Sequence, residues 1–533
     1  MATAAASGKI VRDAPAAAWW RERLWPYALG AGVLLSSFLN FLHYHQYPLA
    51  SFEAVVAILG LLALSAAMGE FYVRQPRWGR AFLLGLLAMI AVDLNADRPL
   101  LAFAAGLVAA LAGYRRAAEL TRFVAIASLV VLATTFTGLG RARPFIEVRE
   151  GEAAGAPTDQ RLPPVVHLIL DEHSGLKGLE AVDRAAPGTG QALSDAYTSR
   201  GFRVWNAAYS RHFHTVNSIP EILVLNSRSG RRSYIQRLAD RGYKVRILRS
   251  SFADICANQP YARCTTYWYA RMGKPEAMRL PRGDRLELLA GNFVLLSGAA
   301  QWVLDGVDGL LELAGRRGAD VRPLKLEQKL KLTPVNARGA MAHLSAELAR
   351  PQRGTAYVAH ILLPHAPYVY DPACRLKRLD GWAVRSAGPM PARRKSYAEQ
   401  VGCVTSLVGG LIDRVRATDA GRDAIFIVHG DHGSRVMDSL PDASRAGAIS
   451  KEDYAAGFST LFAVASGEGP GRVVKVQAPV SGLLESFVNN DARGLGEGRT
   501  PADRSIFLAD QLWHPSRQAT LPQWEEQAQT DRP

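Results

Sequence analysis

Residues 426–436 read FIVHGDHGSRV. The apolar run Ile425–Val428 gives way at once to His429, Gly430, Asp431, His432 and Gly433. That is the pattern of a buried strand ending on a glycine-flanked turn crowded with ionisable side chains. Further strand candidates lie at 165–170 (VVHLIL), 243–248 (YKVRIL), 356–363 (AYVAHILL) and 460–465 (TLFAVA). Helical patterns, including roughly 336–350 and 398–416, fall between them. Strands interleaved with helices predict an α/β domain with a mostly parallel or mixed sheet. In such sheets ligands sit beyond the carboxyl ends of the strands.

Three more polar clusters adjoin apolar runs. LILDEHSG places Asp171, Glu172 and His173 after strand 165–170. RHFHTVNSIPEIL places His212, His214, Thr215 and Ser218 just before an apolar run, and HILLPHAPYVYD places His365 after strand 356–363. Carboxylates, imidazoles and a hydroxyl together suit a divalent metal of the zinc or manganese kind. A metal-bound Thr or Ser hydroxyl has a lowered pKa and becomes a nucleophile. Each piece alone has a plainer reading: a carboxylate after a strand often caps a helix, and His173 and His429 can be structural. Ser218-Ile219-Pro220-Glu221 reads as a capping box, which gives Ser218 a structural role. Thr215 then stands just ahead of a helix N-terminus, where free N–H groups favour a phosphoryl anion.

The N-terminal third is mostly apolar. Five segments, near 27–45, 52–72, 79–96, 99–114 and 121–140, approach the length of a membrane span. Asp93 lies near one end of the third segment. Lys9, Arg12, Arg21 and Arg23 precede the first segment, and the next connection, HYHQYP, has no Lys or Arg. Arg74, Arg77 and Arg80 follow the second segment, and Arg115, Arg116 and Arg122 follow the fourth. The alternation predicts a cytoplasmic N-terminus and an extracytoplasmic C-terminal domain after five crossings. No cleavable signal peptide is apparent.

The remaining boundaries follow from composition. Residues 1–145 are expected as the membrane domain, 146–163 as a polar linker, 164–515 as the catalytic domain and 516–533 as a poorly ordered tail. All four cysteines lie in the part placed outside, an even count that allows two disulfides, with Cys256–Cys264 as a local bridge and Cys374–Cys403 as the other pair; the alternative is free or buried thiols. The net charge of +15 suits anionic lipid or glycan. No Lys-rich run, zinc-finger spacing or RNA-binding aromatic motif is present, so a nucleic-acid partner is not expected.

VVHLILDEHSG, HTVNSIP, HILLPHAPYVYD and IVHGDHGSR, in that order, resemble the alkaline phosphatase superfamily. Within it they resemble the membrane-anchored sulfatase-like branch of phosphoethanolamine and phosphoglycerol transferases and lipoteichoic acid synthases. The resemblance covers roughly residues 163–470. It implies an α/β, alkaline-phosphatase/sulfatase-like domain with a central mixed β-sheet flanked by helices, preceded by an all-α transmembrane domain of about five helices. It implies metal ligands at Asp171, Glu172, Asp431 and His432, with Thr215 as nucleophile and further ligand. His365 would lie near the phosphate or a second metal. Sulfatases of this fold carry Cys or Ser followed by x-Pro-x-Arg; here SIPEI has Ile222 where that Arg would stand.

The expected function is therefore transfer of a phospho-headgroup (phosphoethanolamine or phosphoglycerol) from a membrane lipid donor to an envelope glycan or lipid acceptor. A divalent metal (Zn, Mn, Mg or Ca) would serve as cofactor, in a multi-pass inner-membrane protein whose catalytic domain faces the periplasm. The alternatives are a sulfatase-like hydrolase with water as acceptor, or a degenerate domain that only binds glycan.

Overall fold

The computed structural model describes residues 16–96, 98–138, 145–151, 158–224, 232–273, 276–316, 325–466, 469–490, 504–510 and 514–524. The chain divides into two units, residues 1–143 with 282–306, and residues 144–281 with 307–533.

The first unit holds α1 (Ala16–Tyr44), α2 (Phe52–Arg74), α3 (Arg77–Ala96) and α4 (Pro99–Gly138). Among the described residues, Leu24–Tyr44, Phe52–Arg74 and Leu100–Thr135 are long and apolar enough to cross a membrane. α3 carries Arg77, Arg80 and Asp93 and is not among those three. The expected fourth and fifth segments form one hydrogen-bonded helix, broken at Arg116 (φ −136°, ψ 47°). The chain changes direction at that break. Before it, Gly106 faces Gly85 and Gly113 faces Ala81 and Leu84, antiparallel to α3; beyond it, Ser128 faces Gly32. Arg122 lies over the Trp25 ring near the start of α1. Five apolar rods are thus present, although backbone hydrogen bonds join the last two.

The second unit is built on a nine-stranded mixed sheet. Its strands are β1 (Ile146–Arg149), β2 (Val165–Leu170), β3 (Arg203–Tyr209), β4 (Lys244–Ser250), β5 (Arg263–Tyr267), β6 (Thr355–Ile361), β7 (Ile425–Gly430), β8 (Phe462–Ala465) and β9 (Arg472–Pro479). Their order is β1-β5-β4-β6-β2-β7-β8-β3-β9. β2 is central and pairs in parallel with both β6 and β7; Leu170 lies opposite Ile361 and Gly430. Every residue of β2 and β6 is buried, as expected of parallel strands covered on both faces. β8 runs antiparallel to β7 and to β3, so β3 points the same way as β7. The chain leaves β2, β3, β6 and β7 at one edge of the sheet. Both expected disulfides, Cys256–Cys264 and Cys374–Cys403, are formed.

Three segments differ from the sequence reading. Ile146–Arg149, expected as linker, is β1, paired antiparallel with β5, so backbone pairing outweighs its polar composition. The start of the expected tail is ordered: β11 (Pro515–Thr520) pairs antiparallel with β10 (Ser505–Ala509), and Leu521 is fully buried. Residues 525–533 lie outside the described residues. Residues 282–306, expected within the catalytic domain, belong to the unit of the membrane helices.

Candidate active site

The turns after β2 and β7 are tied together by backbone-directed bonds. Asp171 N donates to Ile361 O at 3.0 Å, and Asp431 N donates to Leu170 O at 3.3 Å. Ser434 N donates to Ser174 Oγ at 3.0 Å. Glycine is required at the strand tip: a Cβ on Gly430 would run into Thr460 Oγ1 and the His173 carbonyl. Glu172 adopts φ 62°, an unfavourable conformation for a non-glycine residue and one concentrated at functional sites.

Asp171, Asp431 and His432 form a buried group whose ligand atoms all lie within 4.8 Å of one another. His432 Nε2 is 3.6 Å from Asp171 Oδ1 and 3.5 Å from Asp431 Oδ2. Thr215 completes the cluster. Its hydroxyl donates to Asp171 Oδ1 at 3.3 Å and lies 3.2 Å from His432 Nε2. Thr215 is the first residue of the helix Thr215–Ile222, with His214 extended at the N-cap (φ −129°, ψ 135°). The helix's unpaired N–H groups and positive dipole end therefore lie beside its hydroxyl.

This group fits a divalent cation. Asp431 Oδ1 accepts two amide protons, from Glu172 N at 3.1 Å and His432 N at 2.8 Å, while Oδ2 is buried and, among the described residues, accepts no hydrogen bond of good geometry. His432 Nδ1 lies 2.8 Å from the Gly433 carbonyl, which places a proton on Nδ1 and leaves the Nε2 lone pair facing the carboxylates. Burial, and then the neighbouring Asp431 charge, push Asp171 up to about 8. Burial likewise pushes Asp431 up to about 7. Burial holds His432 far below the ordinary imidazole range, in the neutral form a metal needs. Two buried carboxylates, one neutral imidazole and one hydroxyl are the donor set of a zinc- or manganese-type site.

A pH test follows. An acid whose pKa is raised in the folded state binds its proton more tightly folded than unfolded, so stability falls as pH rises between its two pKa values. Asp171 and Asp431 both behave this way, up to about 8 and about 7. Below about pH 6.5 the buried histidines, whose pKa values are lowered, act in the opposite direction. From about pH 6.5 to 8 only the carboxylates of this cluster act. The melting temperature of the metal-free protein is therefore expected to fall across that window, and saturating Zn²⁺ or Mn²⁺ to remove the fall. Scanning calorimetry in chelator and in metal checks both halves.

Glu172, predicted as a further metal ligand, is not brought into this group. Its Oε1 lies 2.5 Å from Arg385 Nη1, 3.4 Å from Arg435 Nε and 3.8 Å from His365 Nε2. Burial alone would raise its pKa; His365, Arg385 and Arg435 reverse that and hold it well below the carboxylate range. Two arginines thus occupy the neighbourhood where a second cation was expected. Arg435 also donates to His214 Nδ1 at 3.0 Å. Burial and then Arg435 push His214 down to about 3.

A cavity of about 140 Å³ opens onto Thr215, and its lining includes Asp171, His214, His365, Arg385 and Arg435. It is smaller than the roughly 300–1,000 Å³ of drug-sized sites. His365 Nδ1 lies 2.5 Å from the Ala366 carbonyl, which directs Nε2 toward Glu172 and the cavity.

The other candidates are structural. Ser218 is not a cap; it is buried inside the helix, with its Oγ 3.5 Å from the Thr215 carbonyl, and it does not line the cavity. Starting the helix at Thr215 leaves the expected capping box in its interior, and Glu221 interacts with Ser481 instead. His429 is buried against His167, with ring centroids 4.9 Å apart. His212 stacks on Phe507 at 5.0 Å, and His173 Nδ1 lies against the Ser174 carbonyl. Arg385 and Arg435 were not anticipated. Arg435 stands three residues after His432 and was legible; Arg385 arrives on an irregular loop with no pattern to mark it.

No family model and no curated protein matches this sequence. Among solved structures, the chain is similar to the zinc complex of the C-terminal periplasmic domain of EcEptC from Escherichia coli. Identity is 12%, the TM-score is 0.42, and the match covers 71% of this chain and 96% of that one. It is similar to the C-terminal periplasmic domain of phosphoethanolamine transferase EptC from Campylobacter jejuni at 10% identity and TM-score 0.36, covering 64% and 92%. It is also similar to the phosphonate monoester hydrolase of Agrobacterium radiobacter at 12% identity and TM-score 0.37, covering 65% and 80%. At these identities the likenesses say nothing about this chain's substrate; the chemistry rests on its own side chains.

Proposed function

We propose that this chain is a membrane-anchored, metal-dependent enzyme that moves a phosphorylated headgroup from a lipid to an envelope glycan or lipid. The headgroup is phosphoethanolamine or phosphoglycerol, and the covalent carrier is Thr215. The sheet-based unit works on the extracytoplasmic side of the inner membrane. The observation that carries the reading is the Thr215 hydroxyl, set between Asp171 and His432 at the mouth of a small cavity that two arginines line. A threonine cannot become formylglycine, which favours phosphorus over sulfur.

Asp171, Asp431, His432 and Thr215 would hold the metal. When bound, it acts as a Lewis acid that acidifies the hydroxyl and draws charge from the phosphoryl oxygens. Thr215 Oγ attacks phosphorus, and its proton leaves along the hydrogen bond to Asp171 Oδ1. The bond from phosphorus to the diacylglycerol oxygen breaks, and His365, entering this step doubly protonated beside the Glu172 carboxylate, protonates the departing alkoxide through Nε2. Arg435 and Arg385, which line the cavity, would face the phosphoryl oxygens. In the second step the acceptor hydroxyl gives its proton back to His365 and attacks phosphorus. The Thr215 oxygen departs and recovers the proton from Asp171.

The test uses the full chain in liposomes carrying labelled phosphatidylethanolamine or phosphatidylglycerol. Metal-dependent release of diacylglycerol from one of them is the expected result. Absence of release from both, with metal bound, would remove the lipid-donor reading. Release with all headgroup recovered in water, whatever acceptor is supplied, would make the enzyme a hydrolase.

A further inference from the structure

The chain returns to the membrane-helix unit in the middle of the sheet-based unit. Helices Arg282–Val294 and Gly298–Arg316 meet at 107° and together are long and apolar enough to be a broken span or re-entrant loop. The first of them is fastened to the outer ends of the apolar rods. Phe293 packs on Phe38 and Phe41 of α1, with ring centroids 5.0 and 5.6 Å away. Arg285 reaches the fully buried Glu53 at 3.3 Å, and Arg282 lies over the Phe52 ring. At the bend, Ser297 Oγ and the Ala299 amide both donate to buried Asp93, near the end of α3. The end of α1, the start of α2 and the end of α3 share one side of the bundle. By the distribution of basic residues that side is extracytoplasmic.

The second helix leaves one face uncovered. Trp302, Val303, Val307, Leu310 and Leu313 are 61, 66, 42, 69 and 52% exposed. At 100° per residue they fall within an arc of about 140°. Asp305 and Glu312 flank that arc, and the opposite side is fastened inward by Asp308, which accepts the Lys325 amide at 3.0 Å. A continuous apolar arc with a tryptophan at one end matches a helix lying in a bilayer interface. The helix begins within the unit whose α2 and α4, both long and apolar enough to cross a membrane, expose side chains such as Leu59, Leu62, Phe123 and Val130, so the same lipid would cover the arc.

We infer that residues 282–313 are a membrane-seated bent helix pair whose second helix lies along the extracytoplasmic leaflet, with Trp302, Val303, Val307, Leu310 and Leu313 in the lipid. The sheet-based unit would then be tied to the membrane by this insertion as well as by the connection after α4. The inference does not depend on which ester the enzyme cuts.

The test places single cysteines in the full chain, whose four native cysteines are in disulfides. Val303→Cys and Leu310→Cys probe the arc; Asp305→Cys and Glu312→Cys probe its flank. Each is labelled with an environment-sensitive fluorophore and reconstituted in liposomes. Blue-shifted emission and quenching by brominated lipid at 303 and 310, with iodide quenching at 305 and 312, is the expected result. Iodide quenching at 303 and 310 would overturn the inference. Shielding of 303 and 310 from both quenchers would also overturn it, because protein and not lipid would then cover the face. The readout needs no turnover, so it stands apart from the test of the proposed reaction.

Discussion

Replacing Thr215 by alanine is expected to lower turnover by about four orders of magnitude or more while leaving metal content and fold intact, the scale seen when a nucleophile acting within a catalytic unit is removed. The Thr215 side chain supplies no cap and no core packing of note. It is the first residue of its helix, and no side-chain cap bond is made at that terminus. Alanine is a better helix former, so the stability change is expected within about 1 kcal/mol. The hydroxyl is lost, together with its contacts to Asp171 and His432. Asp171, Asp431 and His432 remain to bind the cation. Thr215→Ser restores a hydroxyl at the same site and is expected to recover a measurable part of the rate. Ser218→Ala should leave the rate within about tenfold, since Ser218 faces the Thr215 carbonyl and not the cavity. Equal loss in Ser218→Ala and Thr215→Ala would reassign the nucleophile.

The second large effect is at Asp431. Asp431→Asn is nearly isosteric, and its Oδ1 can still accept the Glu172 and His432 amides. The site-facing oxygen becomes an amide nitrogen, a donor where the cation needs a lone pair. Metal content is expected to fall from one ion per chain toward zero, and turnover by about three orders of magnitude or more. The metal-free variant is nonetheless expected to be more stable than the metal-free parent at pH 8. Two buried carboxylates repel there, and the change removes one of them. The gain is on the order of 1–3 kcal/mol. A structural carboxylate would behave in the opposite way, so elemental analysis with calorimetry on the same samples separates the two roles. A destabilised metal-free variant that keeps its metal when metal is supplied would place Asp431 outside the ligand set.

The strand ends were legible because parallel core strands leave a plain mark. Ile425–Val428 is an uninterrupted apolar run and Val165–Leu170 is broken only by His167, and the polar residues that follow both lie at the sheet edge. The pairing of four strand ends at one edge brought Asp171, Thr215, Asp431 and His432 together as the sequence order suggested. Glu172 was misread because adjacency in sequence does not set direction. Its φ of 62° turns the carboxylate away from Asp171's partners and toward Arg385 and Arg435. The helix start was misread because two signals competed: Ser218 and Glu221 have the spacing of a capping box, but tertiary packing of Ile219 and Ile222 in the core carried the helix back to Thr215. β3 interrupts its apolar residues with Asn206, and β9 alternates with exposed Arg472, Val473 and Lys475, so neither announces itself as a run. The bent helix pair 282–313 escaped notice because Arg282, Asp284 and Arg285 break its apolar pattern, and the purpose of the two arginines appears only when Phe52 and Glu53 are seen opposite them.

The most direct test is mass spectrometry of the peptide spanning residues 211–225. The full chain would be purified from membranes and also incubated with phosphatidylethanolamine or phosphatidylglycerol, with metal present and acceptor absent. A phosphoethanolamine or phosphoglycerol adduct on Thr215 is the expected result, and its mass identifies the donor. An adduct on Ser218, or an unmodified peptide in samples that release diacylglycerol, would contradict a covalent role for Thr215.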